Sequence, residues 1–116
     1  MNVRRMVPDF RAEDPAASAE FYAGVLGLEP AMDPGWIVTF AAPRNPSARI
    51  SVMQEDATAS VMPDASIEVD DVDAAYAAAR RLGCEIIDPL TDVPWGVRRF
   101  FVRDPSGKVL NVLTHP

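Results

Sequence analysis

Apolar residues recur at two periods along this chain, and the switches between them mark the same order of elements twice. Residues 3–12 read as an extended segment, and Pro8 makes it an edge or terminal strand, because proline brings no N–H to a ladder. Asp14 is then a helix N-cap, with Pro15 at the first helical position, where a missing N–H leaves nothing unsatisfied. Phe21, Tyr22 and Val25, with Ser18 before them, keep i, i+3, i+4, i+7 spacing and give one apolar face; Gly27 ends the helix. The second half repeats this. Asp70 or Asp71 caps a helix whose stripe is Val72, Ala75, Tyr76 and Ala79, and Gly83 stops it. Tyr, Phe and Met residues at this spacing are expected to be core. Short strands follow each helix: 36–42 and 49–54 about an Arg44–Ala48 turn, and 97–103 and 108–114 about an Asp104–Gly107 turn. In Asp-Pro-Ser-Gly the proline presets φ and the glycine accepts a positive φ. Each half therefore reads strand–helix–strand–strand–strand.

The repetition extends to side chains. At a constant offset of 59, Trp36 falls on Trp95, Val38 on Val97, Arg44 on Arg103 and Pro46-Ser47 on Pro105-Ser106. Upstream, Asp14 and Leu26-Gly27 match Asp70 and Leu82-Gly83 at an offset of 56. Repeat units of about 1–57 and 58–116 thus share one architecture within a single domain of residues 1–116. The fold class expected is α+β, two repeated βαβββ units forming curved mixed sheets.

Composition narrows the partners. A chain of 116 residues fits one modest core, and no apolar run approaches the 18 residues of a transmembrane helix. The opening MNVRRMVPDF has two arginines but no apolar stretch behind them, so it does not read as a secretory signal, and a cytoplasmic location is expected. The single cysteine, Cys84, has no partner for an internal disulfide; its apolar neighbours Leu82, Ile86 and Ile87 suggest a buried structural thiol. A net charge of −6 argues against nucleic acid and is compatible with a cationic small molecule.

Three segments carry a family resemblance: Asp14-Pro15-Ala16-Ala17-Ser18-Ala19-Glu20-Phe21-Tyr22 with Val25-Leu26-Gly27-Leu28; Val69-Asp70-Asp71-Val72-Asp73-Ala74-Ala75-Tyr76; and Pro94-Trp95-Gly96 with Phe101-Val102-Arg103-Asp104-Pro105-Ser106-Gly107-Lys108. In this order they resemble the vicinal-oxygen-chelate superfamily of glyoxalases, bleomycin resistance proteins and extradiol dioxygenases. The resemblance implies a cupped sheet. In the family's enzymes, His and Glu side chains on that cup hold a divalent metal that acts as a Lewis acid. Carried over through the motifs, the ligand positions fall on Val7, Asp64 and Asn111. Valine binds no metal, an Asn amide is a weak neutral donor, and one carboxylate is not a site. The sole histidine, His115, matches no ligand position. No metal and no cofactor are therefore expected, nor are catalytic residues assigned: the chain has no GxSxG, P-loop, GxGxxG or CxxC motif.

A cup without a metal remains a ligand surface. Val109, Asn111 and Leu113 share one face by alternation, with Val7, Asp9 and Arg5 on the matching face of the first strand. A four-residue hairpin at Asp104–Gly107 sets residue 111 opposite residue 100, which adds Phe100 and Arg98; a bulge would put Arg99 and Phe101 there instead. By the repeat, Val52 and Ile50, or Met53 and Ser51, contribute. Trp36 and Trp95 stand at strand entrances, where they either stack on a flat ligand or pack as rim residues. Arg98 or Arg99 can meet an anionic substituent, or pair with Glu68 or Asp64. The expected ligand-binding set is Trp36, Asp64, Trp95, Arg98, Phe100 and Asn111. The first reading is a binder that sequesters a cationic or planar small molecule. A lyase, isomerase or dioxygenase with an atypical metal site, and a non-catalytic regulatory subunit, are the alternatives. No nucleic acid or membrane partner is expected. The resemblance also implies a homodimer.

Overall fold

A computed structural model describes residues 1–56 and 58–116 of the chain. The described residues contain eight strands and two α-helices, an α+β fold in which βαβββ occurs twice. They form two compact units, Val7–Ala57 and Thr58–Pro116, the latter together with Met1–Met6. No helix among them is long and apolar enough to cross a membrane.

The first unit holds most of β1 (Val3–Arg11), α1 (Ser18–Leu26), β2 (Glu29–Met32), β3 (Ile37–Ala42) and β4 (Asn45–Met53). Its strands run in the order β2-β3-β4-β1, with β1 parallel to β4 and the other pairs antiparallel. The second unit holds β5 (Ala65–Val69), α2 (Val72–Arg81), β6 (Ile86–Val93), β7 (Val97–Arg103) and β8 (Val109–Thr114). Its order is β5-β8-β7-β6, again with one parallel pair, β5 with β8. β2 and β6 are the strands to which the sequence pattern assigned no range. Both carry a proline and a register shift, which blur the period-2 signal. The turn in the first unit is also tighter than expected: Ala42 pairs with Asn45, so β4 begins inside the anticipated Arg44–Ala48 turn.

Each helix lies on one face of its own sheet, and an aromatic pair marks the contact. Tyr22 stacks on the fully buried Phe40 with ring centroids 5.0 Å apart, and Tyr76 meets Phe100 edge-on at the same distance. In the second unit the whole stripe Val72, Ala75, Tyr76 and Ala79 packs with Val69, Phe100 and Val112. Asp71 caps α2 by accepting the Ala74 N–H at 3.0 Å, while Asp70 accepts the Asn2 N–H instead. The first unit corrects the sequence reading. Ala19 and Tyr22 turn toward the sheet with Leu28, and this leaves Phe21 and Val25 on the flank, 56% and 64% exposed. Cys84 is likewise exposed rather than buried. It sits in the short loop after Gly83, where the chain leaves the helix in a positive-φ turn before β6 begins.

One turn decides which side chains share a face. The Asp104 backbone N–H donates to the Lys108 carbonyl at 2.8 Å, and Gly107 adopts φ 92°. Only Pro105, Ser106 and Gly107 lie between the paired ends, a three-residue loop with glycine in its left-handed position. Arg103 therefore pairs with Val109, and Asn111 with Phe101 rather than with Phe100. Asp104 Oδ1 locks this geometry by accepting from Ser106 Oγ, Ser106 N and Lys108 N at 2.8–2.9 Å. The Ser106 hydroxyl, and then the Lys108 and Ser106 N–H groups, hold the Asp104 carboxyl below its ordinary value of 3.8. A depressed carboxyl stabilises the fold above its unfolded value and loses that contribution as pH falls through the folded value. Asp104→Asn should therefore melt below the wild type at pH 6. The gap should close as pH falls from about 4 toward 2, as read by thermal melts across pH.

Candidate functional site

Alternation gives each unit one face covered by its helix and one that is not. In β5, Ile67 and Val69 join the core beneath α2, which sends Ser66 and Glu68 to the opposite face. Cross-strand pairing then builds two rows there. Ser66 pairs with Asn111, and Asn111 with Phe101; Glu68 pairs with Leu113, and Leu113 with Arg99. The first unit has a comparable row, Asp9–Ser51–Thr39, all three buried, with 2.8 Å between the Thr39 and Ser51 hydroxyls.

The row through Glu68 and Arg99 carries charge inside the protein, and the row through Ser66 and Asn111 is part-buried. Glu68 is only 5% exposed. Arg5 Nε lies 2.8 Å from its Oε1, an ion pair whose N–H is not aimed at the oxygen, so Oε1 accepts no hydrogen bond. His115 Nδ1 stands 3.4 Å from Oε2. Arg99 is also buried; its guanidinium lies 5.0 Å from the Phe101 ring centre and 5.4 Å from that of Trp95, and donates to Thr58 Oγ1 at 2.7 Å. The Asn111 amide donates from Nδ2 to Ser66 Oγ at 3.2 Å, while its Oδ1 is buried without a hydrogen bond.

The expected site residues divide between faces. Asn111 lies on the helix-free face. Asp64, two residues before Ser66 and exposed, joins it at the sheet margin, where its Oδ2 accepts the Val109 N–H at 2.8 Å. Trp95 is half-exposed in the β6–β7 turn against Arg99, and Trp36 is half-buried at the entrance to β3. Arg98 and Phe100 are corrected. Phe100 packs under Tyr76, and Arg98 reaches Asp73 of α2 at 2.9 Å and Asp92 at 3.2 Å. The Arg98 hydrogen bond holds the Asp73 carboxyl below its ordinary range. Their places on the helix-free face go to Arg99 and Phe101, because a one-residue change of register moves every side chain to the other face. In the first unit the face carries Ser51 and Met53; Val52 and Ile50 belong to the core. Ser66 was missed, although the polar positions 64, 66 and 68 between Ala65, Ile67 and Val69 announce it.

Comparison with known proteins gives this geometry a family. The model of the glyoxalase/bleomycin resistance protein/dioxygenase superfamily matches residues 6–112. The chain belongs to this superfamily. Among solved structures, an NAD-dependent benzaldehyde dehydrogenase from Legionella pneumophila is similar at 22% identity and TM-score 0.76, covering 96% of this chain and 99% of that one. Methylmalonyl-CoA epimerase from Mycobacterium tuberculosis is 18% identical with TM-score 0.76, over 98% of this chain and 89% of that one. A superfamily member from Vibrio splendidus 12B01 is 17% identical with TM-score 0.72, over 97% and 99%. Likeness at these identities shows the fold and leaves the chemistry open. No curated protein matches the chain.

The divalent metal of the superfamily's enzymes does not fit the donors present. Among the described residues, no three His, Cys, Asp or Glu side chains gather into a group able to hold an ion. Val7 offers no donor, Asp64 Oδ2 is engaged by a backbone N–H, and Asn111 turns its amide nitrogen to Ser66. The buried charge on this superfamily member's face is instead held by the chain's own cations. Removing one partner of such a pair leaves a buried charge uncompensated, whereas removing both often restores stability. Arg5→Met alone should cost about 2 kcal/mol in urea unfolding, a value reduced for the partial exposure of Arg5. Adding Glu68→Met should recover most of that loss.

Proposed function

We propose that this superfamily member binds a small organic molecule on the helix-free face of its second unit and needs no metal to do so. One observation carries the reading. The buried Glu68 and Arg99 and the part-buried Ser66 and Asn111 share that face with the aromatic Phe101 and Trp95, and among the described residues no metal-binding donor set accompanies them. Apolar walls with a few placed polar groups are the usual profile of a ligand site. Asn111 stands where the family resemblance puts a metal-ligating Glu, so the position is kept for recognition and released from coordination. The role that follows is stoichiometric binding, sequestering a planar or cationic drug or metabolite in the cytoplasm. Two copies of the chain pair in this reading; the exposed Phe21, Val25 and Leu26 of α1 supply apolar surface for such a contact.

Elemental analysis and a tryptophan-fluorescence titration test the proposal together. The purified protein should hold no stoichiometric metal. Some planar or cationic compounds in a panel should bind more tightly than about 1 mM, equally well before and after treatment with EDTA. A stoichiometric metal that is lost in Asp64→Ala, or binding abolished by chelation, would contradict it.

A further inference from the structure

We infer that Asn111 and Glu68 select a ligand that brings hydrogen-bond donors, such as an amidine, an amine or a hydroxyl group, over an anion. The inference rests on the proposed ligand site and names the chemistry it takes. Its basis is an imbalance of donors and acceptors on the helix-free face. Ser66 fixes the Asn111 amide through Nδ2, and the carbonyl Oδ1 is left buried with no hydrogen bond. Glu68 Oε1 is a second buried acceptor without an aligned hydrogen bond, although it is ion-paired with Arg5, whose Nε lies 2.8 Å away.

The two acceptors are neighbours by pairing. Asn111 lies directly opposite Ser66 in the parallel β5–β8 pair, so Glu68, two residues along β5, is its diagonal neighbour on the same face. Buried polar atoms in native proteins nearly always have partners, and two adjacent exceptions of the same kind point to a group that supplies protons to both. A carboxylate or phosphate offers more acceptors and would meet the negative charge of Glu68. A cationic donor matches the acceptors and the negative charge of this face, and Phe101 and Trp95 lie on the same side of the sheet to border it. Ser66 and Asn111 are part-exposed as residues, while the acceptor atoms Asn111 Oδ1 and Glu68 Oε1 are buried.

Amide-resolved NMR titration of the full chain with three probes of one shape tests this. Benzamidine carries donors, methyl benzoate is an ester with acceptors only, and benzoate is an anion. Benzamidine should give saturable shifts at Ser66, Glu68 and Asn111, at least tenfold tighter than methyl benzoate, with benzoate weakest. Asn111→Leu should weaken benzamidine about tenfold, and Asn111→Asp should keep or strengthen it, since a carboxylate still accepts. Equal or tighter binding of methyl benzoate or benzoate on this face would overturn the donor preference while leaving the ligand site standing. An ordered water on Asn111 Oδ1 that benzamidine does not displace would also overturn it, by making the acceptor structural. No shift at these residues with any probe at 10 mM would overturn the site as well.

Discussion

A three-residue turn closed by Asp104 sets what the second unit presents to a ligand. Because Pro105, Ser106 and Gly107 alone lie between paired ends, β7 and β8 meet with Asn111 opposite Phe101. A strand has only two sides, so that single register sends Phe100 under α2 and Arg99 to the other face. Arg99 and Phe101 inherit their place on the helix-free face from this pairing, while Ser66 and Glu68 reach it because Ile67 and Val69 pack beneath α2. The parallel β5–β8 pairing then extends these rows to Ser66 and Glu68.

The two faces then specialise. Beneath α2, Phe100, Val69 and Val112 form an apolar layer with Tyr76, and Arg98 clamps the rim through Asp73 and Asp92. On the opposite face, charge is kept inside by direct contacts: Glu68 is ion-paired with Arg5, and Arg99 lies against aromatic rings and donates to Thr58. Buried polar groups that are fully matched rigidify a site, and unmatched ones invite a partner. The first unit repeats the division, with Phe40 under Tyr22 and the Asp9–Ser51–Thr39 row opposite.

Much of this was legible in the sequence. The duplicated Trp and Pro-Ser positions and the capping aspartates announced two βαβββ units, and the stripe from Val72 to Ala79 named the face of α2 that packs. Side-chain direction in the hairpin was not legible, because Asp-Pro-Ser-Gly suits both a four-residue turn and a three-residue loop with Gly107 at positive φ. The stripe of α1 misled for a different reason. In a nine-residue helix, Ala19 and Tyr22 suffice to cover the sheet, and periodicity alone does not reveal that Phe21 and Val25 are surplus. Cys84 followed the same pattern: it and Leu82 are exposed where Gly83 turns the chain out of the helix, and only beyond them does Ile86 reach the core.

The fold is that of the superfamily, and Val7, Asp64 and Asn111 stand where the family resemblance puts its metal ligands. In the proposed reading, Asp64, which accepts the Val109 N–H, and Asn111, which donates to Ser66, serve that face by hydrogen bonding and not by coordination. That reading stands on Asn111 and Phe101 sharing the helix-free face. Cross-strand nuclear Overhauser contacts measure this directly on the isotope-labelled protein. Contacts pairing Asn111 with Phe101 and Leu113 with Arg99, together with Phe100 against Tyr76, are the predicted result. Contacts pairing Asn111 with Phe100 would contradict the account, since they would turn Arg99 and Phe101 to the helix.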